Sequence, residues 1–166
     1  MTTAPSTTTG ALKRLLIVDD EEIVLVALRE TLRQQGYAVA TAQNAVQGLE
    51  ILQQQQFAAV LSEQQMPMLT GLEFLAQARK IQPDASRILV TAVLNVGTVI
   101  DAINKAEIFR FILTPWQREE LLRTVQEAVE RYETLCRHRI LLTTTLAMND
   151  TLTKLAQSLE KQLCRK

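Results

Sequence analysis

No stretch of this 166-residue chain reaches the ~18 consecutive apolar residues that a helical membrane span needs. Charge of one sign is also missing. Eighteen basic and eighteen acidic side chains cancel, which argues against a nucleic-acid binder with its usual basic excess. The N-terminus MTTAPSTTTG has no charged-then-apolar leader pattern, and its Thr, Ser and Pro content predicts a disordered tail over 1–11. Only two cysteines occur, Cys136 and Cys164, far apart in a helical-looking region; they are expected to be free thiols in a reducing cytoplasm. The one histidine, His138, is expected on a solvated helix face. What is present is an ordinary globular mix, 47% apolar and 22% charged, enough for a core.

The apolar pattern alternates between two periods. Short apolar runs at 13–18, 37–42, 57–62, 87–91 and 109–113 predict buried strands. Segments 22–35, 44–55, 71–82 and 96–105 carry apolar residues at helical spacing; Gly36 stops the first, Asn44 is placed to cap the second, and Pro83 closes the third. Met66 and Met68, in the loop 63–70, are expected to pack that loop, and Trp116 to anchor the start of the last helix beside Pro115. Arg110 is expected to point away from Phe109 and Phe111, toward solvent or an acid. Five strand–helix repeats with uniformly apolar strands describe a doubly wound parallel α/β sheet covered on both faces.

The last helix is predicted to continue to the end of the chain. Val125, Ala128, Tyr132, Leu135, Leu142 and Leu146 follow one apolar spacing, and Leu152, Leu155, Leu159 and Leu163 follow another. Between them Thr143-Thr144-Thr145 and Asn149-Asp150 predict a weak point or break at 143–150. The expected organisation is a domain over 12–130 and a helical extension over 131–166. Its uncovered apolar stripe suits a coiled-coil partner; a tail folded back on its own domain is the alternative.

Ligands of open α/β sheets bind outside the carboxyl ends of the strands. Those ends carry Asp19-Asp20, Glu63, Thr91 and Thr114-Pro115. Converging carboxylates favour a hard divalent cation; acids at a helix N-terminus are the simpler alternative for Asp19 and Asp20.

The motifs LLIVDDE (15–21), LRETLRQQGYAVATA (28–42), LSEQQMPMLTG (61–71), RILVTA (87–92) and FRFILTPW (109–116), in this order, resemble a bacterial response-regulator receiver domain. INKAEIFRFILTPW (103–116) is especially similar to receivers in front of HD-GYP phosphodiesterase modules. The resemblance implies a flavodoxin-like sheet of order 2-1-3-4-5, and a signalling module of two-component phosphorelays rather than an enzyme. It places the Mg2+ acids on Asp19 and Asp20, with a third metal contact at the carbonyl of Gln65. It puts the phosphoacceptor position on Glu63, the switch positions on Thr91 and Phe111, and the lysine that precedes the cis-type proline on Thr114.

Two of these positions depart from the family pattern. Glu63 places its carboxylate one methylene further out than aspartate, and Thr114 brings no cation to the phosphoryl group. The expectation is therefore a phosphorylation-independent pseudo-receiver with Mg2+ at most weakly held. Glu63 either imitates an aspartyl phosphate or merely holds its loop. The alternatives are an atypically phosphorylated regulator and a receiver-capped helical oligomerisation subunit. Expected partners are proteins, a histidine kinase or a downstream effector, and a second copy through the last helix and its extension; nucleic acid and membrane are not expected. No output motif follows residue 130.

Overall fold

The computed structural model describes residues 13–165; the tail expected at 1–11 lies outside them. Five strands alternate with helices: β1 Arg14–Val18, α1 Glu22–Arg33, β2 Ala38–Ala42, α2 Ala45–Gln54, β3 Ala59–Glu63, α3 Gly71–Ile81, β4 Ser86–Thr91, α4 Val96–Asp101, β5 Arg110–Leu113 and α5 Arg118–Leu163. All strand pairs are parallel and the order is β2-β1-β3-β4-β5, the doubly wound sheet expected.

Alternation along each buried strand sends neighbours to opposite faces. Leu16, Val18, Val60 and Leu89 pack on one face with Leu52 of α2 and Phe74 and Leu75 of α3. Leu15, Ile17, Leu61 and Ile88 pack on the other with Leu25 and Leu28 of α1 and Val125 of α5. Each strand is therefore apolar on both sides, which is why no period-2 signal shows in the sequence.

Local chemistry sets the ends of several elements. Gly36 sits at φ +88° just after α1, a conformation that costs glycine least. Asn44 caps α2 by accepting from the Gln47 N–H at 2.8 Å. Thr70 and Glu73 form a reciprocal capping box on α3, and the Thr70 N–H and hydroxyl, donating to the Glu73 carboxylate, hold it below its usual range.

Three expectations are corrected. The helix predicted over 96–105 is α-helical only to Asp101 and continues as a π-helical turn, Ala102–Ala106, ending on Glu107 at φ +45°. Phe109 and Phe111 do not share a face. Phe109 precedes β5 and packs with Ile112, while Phe111 packs on the opposite side, because strand alternation begins only at Arg110. Arg110 lies over the Phe109 ring, 4.3 Å from its centroid, and meets Glu127 at 3.5 Å. Finally, Met66 is buried as expected but Met68 is 94% exposed at φ +71°.

The chain divides into two compact units, Met1–Tyr132 and Glu133–Lys166. In the second, the helix runs without interruption through 143–150, where the sequence predicts a weak point or break. The hydroxyls of Thr143, Thr145, Thr151 and Thr153 each donate to the carbonyl four residues back, at 2.8–3.0 Å, so these residues are accommodated inside the helical ladder. Cys136 is half-buried, Cys164 exposed, and both are free thiols. His138 is exposed on the helix.

Candidate functional site

The carboxyl ends of β1, β3 and β4 deliver acidic and hydroxyl groups to one crevice. Register pairs Val18 with Ser62, and Glu63 with Val90, so Asp19, Glu63 and Thr91 all follow or end adjacent strands. Asp19 is buried; its backbone N–H donates to Ala42 O at 3.1 Å and its Oδ1 accepts from the Glu21 N–H at 2.8 Å. Asp20 is exposed and lines a cleft of about 600 Å³ together with Gln65, Thr91, Asn95 and Thr98. Among the described residues the cleft lining includes no lysine or arginine.

Glu63 is half-buried, and its Oε1 accepts from the Gln65 N–H at 3.1 Å. Its carboxyl lies above the usual range, first because burial strips its water, with Asp20 and Glu21 adding like charge against the loop N–H groups that oppose it. Asp19 is pushed up to about 6 by burial, by Glu63, and by Asp20 and Glu21, against the Glu21 N–H. The acids therefore repel one another in a partly desolvated place.

Thr91 is fully buried and its hydroxyl is engaged within its own turn, donating to Val93 O at 3.0 Å and accepting from the Val93 N–H at 3.3 Å. Thr114 reaches the same strand end through its backbone, its N–H donating to Thr91 O at 3.0 Å, and the Thr114–Pro115 peptide is cis. Phe111 is half-buried against the cluster on the α3 side of the sheet. The structure thus gathers Asp19, Asp20, Glu63, Gln65 and Thr91 at one end of the sheet. Trp116 packs in the other core cluster, with Leu121. Among the described residues no group of three or more His, Cys, Asp or Glu forms a ready cation cage. The donor set still fits Mg2+, which is held by one or two carboxylates and keeps several waters.

The Asp19 environment makes stability depend on pH. A carboxyl raised in the folded state stabilises the fold only while protonated, so its contribution is complete below about 3.8 and is lost as pH rises through about 6. In metal-free buffer at pH 7.5, Asp19→Asn should be more stable than the parent by roughly 1–3 kcal/mol, since asparagine keeps the Oδ1 acceptor. The gap should close by pH 4. Urea unfolding at the two pH values measures this; a destabilised variant at pH 7.5 would reject it.

A five-stranded parallel sheet of this order, with acids, a buried threonine and a cis proline at its carboxyl ends, defines a receiver-type signalling domain. The chain belongs to the response regulator receiver domain family, which it matches over residues 15–126. It is 37% identical over 116 residues to the hydrogenase transcriptional regulatory protein HoxA of Cupriavidus necator, covering 70% of this chain and 24% of that protein. The chain thus spans about a quarter of the length of the curated relatives it matches. Among solved structures, the signal receiver domain of an HD domain-containing protein from Pseudomonas fluorescens superposes with TM-score 0.75 at 28% identity, covering 81% of this chain and 98% of the other. A CheY-like receiver from Methanospirillum hungatei gives 0.72 at 29% identity, covering 75% and 98%. Receivers of this family are signalling modules of two-component response regulators, work with histidine kinases or effectors, and typically bind Mg2+. Among the described residues no helix is long and apolar enough to cross a membrane.

Sequence reasoning missed two structural supports, Gly71 at this end of the fold and Arg87 at the amino end of β4. Arg87, read only as the start of a strand, is a buried cation, and Gly71, read only as a helix start, lies against the backbone of Glu63. Neither has a signal in the linear pattern.

Proposed function

We propose that this chain is a pseudo-receiver that signals through protein–protein contacts without phosphotransfer. The observation that carries the reading is the state of Glu63. At the acceptor position its carboxylate is tethered to its own loop through the Gln65 N–H, in an acidic crevice to which Thr114 brings no cation. In-line transfer requires a nucleophile placed to fractions of an ångström and a positive charge on the phosphoryl oxygens, and both requirements are compromised. Because Glu63 bonds to Gln65 and Thr91 to Val93, the geometry favours Glu63 as a holder of its loop over Glu63 as an imitation phosphate that engages Thr91.

On incubation with acetyl phosphate and Mg2+, intact-mass measurement should show no phosphate on the chain. The double variant Glu63→Asp, Thr114→Lys should gain one. A phosphate on the unmodified chain would overturn the reading.

Asp19, Asp20 and the carbonyl of Gln65 would hold Mg2+, which relieves their mutual repulsion when bound. Metal at ten times its dissociation constant stabilises a fold by about 1.4 kcal/mol. Millimolar Mg2+ should therefore raise the melting temperature of the parent chain by a few degrees and leave Asp20→Asn unmoved; an equal response in both rejects this assignment.

The receiver domain over 12–130 acts in the cytoplasm on a kinase or effector, and the helical extension over 131–166 brings two copies together.

A further inference from the structure

The second unit is a helix whose apolar side is exposed among the described residues. Leu142, Leu146, Leu152, Leu155, Leu159 and Leu163 are each 56–75% exposed. One heptad frame takes in Leu135 and Leu142 of the first apolar set and Leu152, Leu159 and Leu163 of the second, with Leu146 at e and Leu155 at g on its flanks. With Leu135 at position a, the later a positions are Leu142, Asn149, Ala156 and Leu163, and the d positions are His138, Thr145, Leu152 and Leu159. The apparent shift of register is the polar pair Thr145 and Asn149 standing in the seam.

We propose, building on the homodimer reading above, that residues 135–163 pair with those of a second copy as a parallel, in-register, two-stranded coiled coil in which Asn149 faces Asn149.

Three observations specify this occupant and this orientation. The first is a preformed hole. His138, Leu141, Leu142 and Thr145, spaced i, i+3, i+4 and i+7, border a groove on the helix surface. That is the four-residue socket which receives one knob of a facing helix. In a parallel register the knob that meets it is Leu142 of the second copy.

The second is self-matching. Parallel pairing sets Leu142, Leu152, Leu159 and Leu163 each against itself. An antiparallel pair, whose layers set a positions against d, would in the register that matches Leu142 with Leu159 place Asn149 against Leu152 and His138 against Leu163, burying polar groups against leucine without a partner. A lone asparagine at an a position is a device that fixes register and two-strandedness at a cost in stability.

The third is area. A leucine drawn from the surface into a seam removes roughly 60–120 Å² of apolar area from water. The seam residues Leu142, Leu152, Leu159 and Leu163, with Leu141, Leu146, Met148 and Leu155 flanking the seam, offer on the order of 500–1,000 Å² per copy, close to the ~800 Å² per partner of a stable interface. Charge stays off the seam: Asp150 and Lys154 pair with each other at 2.8 Å on the outer side.

The test uses the full chain with Cys136→Ser and Cys164→Ser. Its mass in solution is measured first. Leu159→Cys is then introduced, mildly oxidised, and run on a non-reducing denaturing gel; Leu163→Cys repeats the test at the next layer. The expected results are a mass of two chains and a disulfide linking most chains in both variants. A mixture of Leu159→Cys and Leu142→Cys chains should give no 142–159 disulfide, and adding Asn149→Leu to both should let it form. A two-chain mass with only the mixed disulfide overturns the parallel register and leaves the homodimer standing. A one-chain mass at tens of micromolar overturns both. Absence of the mixed disulfide in Asn149→Leu rejects the role given to Asn149.

Discussion

Arg87→Met is expected to lower the free energy of unfolding by roughly 3–5 kcal/mol, because two short hydrogen bonds from a charged donor are each worth ~1.5–3 kcal/mol net. Arg87 enters the sheet near the start of β4 and is 1% exposed. Its Nε donates to Ala106 O at 2.7 Å, and Nη1 donates to Ala85 O at 2.8 Å and Pro83 O at 3.2 Å. Glu107 lies 3.8 Å from Nη2 and is itself held by Arg79 at 2.6 Å. Burial pushes the guanidinium down to about 10, helped by nearby Arg131 and opposed by Glu107. The charge is therefore carried at a cost, and replacing buried ions by apolar groups can be neutral where the whole polar set is replaced. Here it is not replaced. Methionine leaves backbone carbonyls at the end of the π-helical turn and before β4 without their donor. The expected midpoint shift is about 10 °C or more. Urea and thermal unfolding of the variant measure it, and a loss below about 1 kcal/mol would show that Arg87 is not the clamp described.

Gly71→Ala is expected to cost roughly 3 kcal/mol, at the upper end for overpacking because the obstacle is backbone. A Cβ at this position would fall inside van der Waals contact of the Glu63 carbonyl oxygen, 2.8 Å from its carbonyl carbon and 3.0 Å from the Gln64 Cα. Gly71 also donates its N–H to Gln64 O at 3.0 Å, and Leu72 donates to the Gln64 Oε1 at 2.9 Å. No side chain can swing away to relieve the clash; either α3 or the loop that carries Glu63 and Gln65 must move. The variant should therefore lose its response to Mg2+ as well as stability. Thermal unfolding with and without Mg2+ checks both, and a melting point within about 2 °C of the parent would sink the argument.

Both predictions concern residues whose importance the linear pattern conceals. Gly71 looks like any helix-opening glycine until β3 and α3 are packed together. Arg87 looks like a polar strand end until the turn at Ala106 and Glu107 folds over it. Buried polar networks of this kind join segments far apart in the chain, so no local period or spacing announces them. The π-helical turn is hidden for a related reason: the segment 96–105 has helical composition, and only the packing of Ala102 and Ala106 into the core extends the turn.

By itself the sequence determined the sheet and its topology class. Apolar runs of strand length alternating with helical spacing admit little else, because parallel strands need crossovers and both sheet faces need cover. It also determined which residues end at the carboxyl edge, Asp19, Asp20, Glu63, Thr91 and Thr114, since chain order and strand length decide that. Tertiary structure alone decided how those groups are engaged. Asp19 is buried and raised, Glu63 is tethered to Gln65, and Thr91 is turned onto Val93. Those states depend on desolvation and on distances between strands that are remote in sequence, and both arise only when the sheet closes.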